Sequence, residues 1–198
     1  MELVFLARHA ESRFSVRGLC NGDPAACEGL TDEGRAQARA LGEQLAGDAI
    51  DVCVHTEFRR TRETAELALQ GRDVPFVVVP ELNDIRVGEW EGASFETYRD
   101  WAWSADPEAV SPGGAESRAA VAARYAAGLR AVLERPERAA LVVAHGLPVR
   151  YALEAAEGRN PSRRVAVVEY AKAHRLTGAE LEAVAARLEA WSARPVFA

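Results

Sequence analysis

Two histidines each follow a short apolar run: His9 comes directly after Leu3-Val4-Phe5-Leu6-Ala7-Arg8, and His145 after Leu141-Val142-Val143-Ala144. Each run reads as a strand. Open parallel sheets take their ligands beyond the carboxyl ends of the strands, so positions 8, 9 and 145 are expected to converge on one crevice. The chemistry that suits such a pair is phosphoryl transfer. A neutral imidazole, with an ordinary pKa of about 6.5, offers a lone pair to phosphorus at physiological pH without an activating base. A phosphate monoester carries nearly two negative charges, and the guanidinium fork of Arg8 matches its oxygens in pairs. The same cation disfavours imidazolium and so keeps His9 neutral, which makes His9 the expected nucleophile. A further supply of positive charge lies in Arg59, Arg60 and Arg62, which crowd the opening turn of a helix. Taken alone, such a cluster is more often a solvated helix face than an anion site. His55 and His174 stand in no comparable pattern and read as satisfied polar residues.

The composition narrows the class of molecule. A chain of 198 residues with 48% hydrophobic content fits one compact domain with a full core. Acidic residues outnumber basic ones, 30 to 24, for a net charge of −6, and no basic block is present to track a nucleic-acid backbone. No run approaches the roughly 18 apolar residues of a membrane span, and the amino terminus has no positive leader before its apolar run. A soluble protein of the cytoplasm is therefore expected, with neither nucleic acid nor membrane as partner. Cys20, Cys27 and Cys53 lack metal-ligand spacing, so no zinc site is expected. Cys53 reads as a buried strand residue. Cys20 and Cys27 share a loop and could pair only under oxidation.

The elements that must position these residues follow from periodicity. Aliphatic runs at about 2–7, 51–55, 75–79, 140–145 and 165–170 alternate with Ala-rich amphipathic stretches at about 32–47, 59–69, 94–102, 116–134, 148–156 and 178–191. That alternation predicts an α/β fold, a three-layer α/β/α sandwich with a mostly parallel central sheet, spanning residues 1–198 as one domain. Thr31 is a plausible N-cap for the first long helix, with Ala38, Leu41, Leu45 and Ala46 on one face. A stretch at about 84–115, rich in Trp, Gly and Pro, reads as a small helical lid insertion. Its Trp90, Phe95, Tyr98, Trp101 and Trp103 either close over a pocket or pack a satellite cluster. Gly113-Gly114 reads as a turn before the long helix.

Five stretches in order carry a family resemblance: Arg8-His9-Ala10-Glu11-Ser12, Leu30 to Ala38, Thr56 to Ala65, Leu82 to Gly92, and Ala144-His145-Gly146. They resemble R-H-G-E-S, L-T-x-x-G-x-x-Q-A, S-P-L-x-R-A-x-x-T-A, L-x-E-x-x-x-G-x-W-E-G and S-H-G of the histidine phosphatase superfamily, the phosphoglycerate mutase-like family. The resemblance covers about residues 3–155. It implies that His9 takes the phosphoryl group while Arg8, Arg60 and His145 bind its oxygens. Asp84 becomes the proton donor, at a place where the family more often has Glu; Glu11, Asp23 and Glu81 are the other carboxylates near the site in sequence. Glu11, Ser15, Asn21, Gly22 and Gly146 are the implied substrate contacts. Ala10 replaces a glycine, which is harmless only away from positive φ, and Thr56-Glu57 replaces Ser-Pro. The activity so implied is metal-independent hydrolysis of a small-molecule phosphate ester through phosphohistidine, with no cofactor. The alternatives are a phosphoglycerate mutase and a non-catalytic member that binds phosphorylated ligands or a partner. Acidic Gly88-Glu89-Trp90-Glu91-Gly92, where mutases carry basic residues, favours hydrolysis. The natural substrate and the oligomeric state stay open at this point, with leaving-group contacts expected among residues 13–29 and 93–115.

Overall fold

A computed structural model describes residues 1–26, 28–113 and 115–198. The Cys20–Cys27 pairing and the Gly113-Gly114 turn fall partly outside them. Five strands, β1 (Leu3–Arg8), β2 (Val52–His55), β3 (Phe76–Val78), β4 (Ala139–Ala144) and β5 (Ala173–Thr177), form one sheet in the order β3-β2-β4-β1-β5. All pairings are parallel except β1 with β5. Alternation along β1 explains the layers. Phe5 and Ala7 face a core shared with Leu41 of α2 (Asp32–Gln44) and Ala65 of α3 (Arg59–Ala68). Val4 and Leu6 face the opposite core, built with α5 (Arg118–Leu133), α6 (Gly146–Ala156) and α7 (Gly178–Ala193). Between the faces β4 is buried throughout, as expected of a central parallel strand.

Two shorter helices complete the chain before α5: α1 (Arg13–Val16), which periodicity does not announce, and α4 (Phe95–Ser104). Side-chain oxygens cap most helices: Thr31 accepts from the Gly34 amide at 2.9 Å, Ser117 from Ala120 at 3.1 Å, and Thr177 forms a capping box with Glu180. The stretch 84–115 contains a 3-10 turn at Gly88–Trp90 and then α4. It is tied to the loop after α1 by backbone bonds between Cys20 and Ala93, Gly92 and Cys20, and Phe95 and Gly18.

The expected strand at 165–170 does not form. Leu176 in β5 fills the second core, and β5 takes the free edge of β1 instead. The Val165–Tyr170 segment runs as an irregular loop whose carbonyl oxygens are satisfied by guanidinium groups. Arg118 donates to the carbonyls of Ser162 and Arg163, Arg150 to those of Ala166 and Val167, and Arg8 to that of Val168. Side-chain donors thus stand where a strand ladder would have been. The loop ends at Ala171, whose φ of 47° turns the chain into β5 while its amide donates to the Arg8 carbonyl at 3.0 Å.

Candidate active site

Register brings the two histidines together. Arg8 pairs with Ala144 across β1 and β4, and the His9 amide donates to the Ala144 carbonyl at 2.8 Å, so the two residues that follow lie side by side. Their ring centroids are 5.4 Å apart. Both are buried at the carboxyl ends of central strands.

The hydrogen bonds fix both tautomers. His9 Nδ1 lies 2.7 Å from the Ala10 carbonyl oxygen, which has no proton to give, so Nδ1 carries the hydrogen and Nε2 keeps its lone pair. Arg60 Nε donates to that lone pair at 3.1 Å. His145 Nδ1 accepts from Arg60 Nη2 at 3.1 Å, and its Nε2 therefore donates to Thr56 Oγ1 at 2.9 Å. Thr56 passes the chain on to Thr61 Oγ1 at 2.8 Å, and Thr61 donates to the Phe58 carbonyl at 2.8 Å. Burial first, then the charges of Arg60 and Arg8, hold the His9 pKa well below the usual imidazole range. Burial and Arg60 do the same to His145.

Arg60 is the hub. Besides both histidines it donates to the Asn21 side-chain and backbone oxygens and, at 3.3 Å, to Asp84 Oδ2. The Phe58 ring supports it, with the guanidinium carbon 4.1 Å from the ring centroid. Asp84 also accepts from the Ile85 amide at 3.0 Å, and lies 3.6 Å from His145 Nδ1. Burial raises its pKa above the ordinary carboxylate value, with Arg60 opposing. Arg124 on α5 donates to the carbonyls of Glu81, Asn83 and Asp84 and is itself held by Glu116 at 2.7 Å, which sets the Asp84 loop. Arg8 lies over the Tyr170 ring at 3.9 Å, and its buried Nε has no hydrogen-bond partner. An unpartnered buried donor beside His9 suits an oxygen-rich ligand.

The remaining expected contacts divide. Ser15, Asn21, Gly22 and Gly146 line the cavity, as do Arg8, His9, Arg60 and Asp84, while His145 lies fully buried behind Arg60, outside the lining. Ser15 Oγ lies 2.8 Å from Ser12 Oγ. Gly22 donates its amide to the Glu91 carboxylate at 2.8 Å, and a Cβ there would meet the Ile85 carbonyl at 2.4 Å, which leaves no room for a side chain. Glu11 turns away: its carboxylate accepts from Thr31 Oγ1 at 2.7 Å, and its carbonyl from the Thr31 amide. Glu11, Asp23 and Glu81 do not border the cavity, which leaves Asp84 as the carboxylate that does. Ala10 is not at positive φ, so its replacement of glycine costs no backbone strain. His55 bonds the Thr56 carbonyl at 2.7 Å and His174 sits in the edge strand; neither borders the cavity. Cys20 does, but burial pushes its thiol up to about 12, so it offers no thiolate at neutral pH. Sequence reasoning did not single out Thr61, Tyr170 or Arg124. Tyr170 was hidden in the supposed strand, and Arg124 has no local pattern to mark it on a helix read for its apolar face.

The model of the histidine phosphatase superfamily (branch 1) matches residues 4–193. The chain belongs to that superfamily. Among its relatives is an adenosylcobalamin/alpha-ribazole phosphatase of Salmonella typhimurium, 41% identical over 88 residues, which are 44% of this chain and 43% of that protein. The matched stretch therefore spans less than half of that relative. A 2,3-bisphosphoglycerate-dependent phosphoglycerate mutase of Methylobacterium is 32% identical over 164 residues, covering 75% of this chain and 77% of the mutase. The alpha-ribazole phosphatase of Shigella flexneri superposes with a TM-score of 0.75 at 26% identity, over 87% of this chain and 89% of that one. In this superfamily member, the hub just described occupies the carboxyl edge of the sheet, where ligands of open α/β sheets sit. No helix among the described residues is long and apolar enough to cross a membrane, and those residues hold no cluster of His, Cys, Asp and Glu suited to a metal ion.

Proposed function

We propose that the protein is a phosphomonoester hydrolase acting on a small phosphorylated metabolite through a phosphohistidine at His9. The observation that carries this reading is the uncharged His9 Nε2 lone pair facing a guanidinium inside a buried cationic cradle. A phosphate group entering there draws Arg60 from the imidazoles to its own oxygens. Arg8 Nε and the Gly146 end of α6 supply further positive potential. His9 Nε2 then bonds to phosphorus as the phosphorus–oxygen bond to the leaving group breaks, and protonated Asp84 gives its proton to that oxygen. Water next attacks phosphorus, the phosphorus–nitrogen bond breaks, and Asp84 takes a proton from the water, so the protein ends as it began. The raised pKa of Asp84 suits the first of these roles. Once Arg60 turns to the phosphate, His145 Nδ1 is left to accept the hydrogen of a singly protonated phosphoryl group, while its Nε2 still donates to Thr56 Oγ1, so no proton changes place on the ring. Residues 95–103 form the cover of the leaving-group side, and the reaction belongs to the cytoplasm.

The Methylobacterium relative keeps a mutase as the second reading. A chromogenic phosphate ester, followed with wild type and His9→Ala, tests the first. Wild type is expected to release phosphate and to trap an acid-labile, base-stable phosphoryl label, and H9A is expected to do neither. Interconversion of phosphoglycerates without phosphate release supports the mutase. Saturable ligand binding with no turnover of any ester supports a binding protein.

A further inference from the structure

The cavity extends well beyond the phosphate cradle, with a volume of about 350 Å3. Beyond Arg8, His9, Arg60 and Asp84 its walls are mainly apolar and aromatic, Phe14, Leu19, Phe95, Tyr98, Trp103 and Leu147 among them, with Ser12, Ser15 and Asn21 as uncharged polar residues near the cradle. The other charged groups of these walls are offset or engaged. Arg99 donates through Nη2 to Glu96 at 3.2 Å and to Asp100 at 3.3 Å, its guanidinium lies 4.8 Å from the Trp103 ring centroid, and its buried Nε has no hydrogen-bond partner. Each nitrogen of Arg118 has a partner in Tyr151 Oη or the carbonyls of Arg163 and Ser162, so that side chain is spent on the loop. Among the described lining residues Asp84 is the sole carboxylate.

We infer that the site selects phosphate esters whose leaving group is uncharged and largely apolar, of about the bulk of an aromatic ring. The inference rests on the hydrolase reading and names the substrate class for the same site. Outside the phosphate cradle a carboxylate on the leaving group finds only Arg99, whose charge Glu96 and Asp100 already offset, and an ammonium finds no carboxylate except the proton donor itself. Burying either unpaired is costly. An apolar ring gains by leaving water and by stacking against Phe95, Tyr98 or Trp103.

The experiment compares primary alkyl esters of similar intrinsic reactivity, so that leaving-group acidity does not decide the outcome: 2-phenylethyl phosphate, glycerol 3-phosphate and O-phosphoserine. The expected kcat/KM for 2-phenylethyl phosphate exceeds that for O-phosphoserine by about 30-fold, the worth of burying one such side group. Phe95→Ala, at a residue already half exposed, and Trp103→Ala are each expected to narrow that ratio several-fold. O-Phosphoserine or glycerol 3-phosphate turned over as fast as the phenylethyl ester, with phosphohistidine still formed, overturns the leaving-group inference and leaves the hydrolase reading standing. The same holds for an unchanged ratio in both variants. Absence of turnover and of protein-bound phosphoryl label with every ester overturns both.

Discussion

At the residue scale, burial and neighbouring charge bias the protonation of the two groups that the proposed chemistry needs. The His9 imidazole is neutral because it is buried beside two guanidinium groups, and the Asp84 carboxyl is raised by burial against the pull of Arg60. Asp84→Asn removes the acid and the base together. A poor leaving group then reacts about 10²- to 10⁴-fold more slowly. With 4-nitrophenyl phosphate, whose leaving group needs little protonation, stopped-flow is expected to show a burst of nitrophenol and a slow steady state, because the phosphohistidine waits for an unactivated water. A steady-state rate close to wild type would move the acid–base role elsewhere. At this scale much was legible from the chain alone. Arg8, His9 and His145 stand out as residue types suited to phosphate at strand ends, Arg60 and Asp84 only through the resemblance of their motifs, and Arg60 bonds to both histidines and to Asp84. The legible part stops where a role comes from packing. Glu11 belongs to the opening pentapeptide yet is consumed by Thr31. Thr56, noted only as a replacement, reaches the His145 ring across 89 positions of sequence separation.

At the element scale, the strand ends need props, and the most exacting is α5. Its Arg124 reaches the carbonyls of Glu81, Asn83 and Asp84 and is steadied by Glu116. Arg124→Met keeps the stem's packing and removes the props, so the Asp84 loop loses its fixed distance from the leaving oxygen. A fall in kcat of about 10- to 100-fold is expected, with KM little changed, since small misplacements of a catalytic group carry such costs. Steady-state kinetics on one good substrate checks it, and equal loss in KM alone would make Arg124 a part of the binding surface instead. Periodicity placed the four parallel strands and the six longer helices to within a few residues, because all but the edge strand β3, whose Phe76 and Val78 are exposed, have a buried face that the sequence must display. It failed at 165–170, where an apolar, strand-like run is held by arginines from β1, α5 and α6. Those donors lie far off in sequence, and no local pattern reports them. The aromatic stretch resolves both ways: Trp90 and Trp101 pack against the core, while Phe95 and Trp103 border the cavity, and Tyr98 does both.

At the scale of the whole molecule, placing two neutral histidines in the interior couples folding to acidity. Their folded pKa values are depressed below the unfolded value of about 6.5, so at lower pH the unfolded chain binds protons that the native state refuses. Stability is therefore full above about pH 6.5 and declines as pH falls below it, by about 1.4 kcal/mol per pH unit for each histidine. Urea unfolding of wild type and His9→Asn at about pH 7 and pH 5 checks this: the variant is expected to lose about 2 kcal/mol less between the two. Identical losses would mean that His9 is not held neutral. Another consequence concerns the guanidinium-held loop after α6. Its guanidinium anchors grip main-chain oxygens, and its side-chain holds are the Tyr170 ring under Arg8 and buried Val168, so the identities of outward-facing residues such as Val167 carry no part of the fastening. That stretch is a replaceable panel. Evolution, or an engineer, can repaint it to welcome a different alcohol while the machinery that handles phosphorus, and the sheet beneath it, goes unaltered.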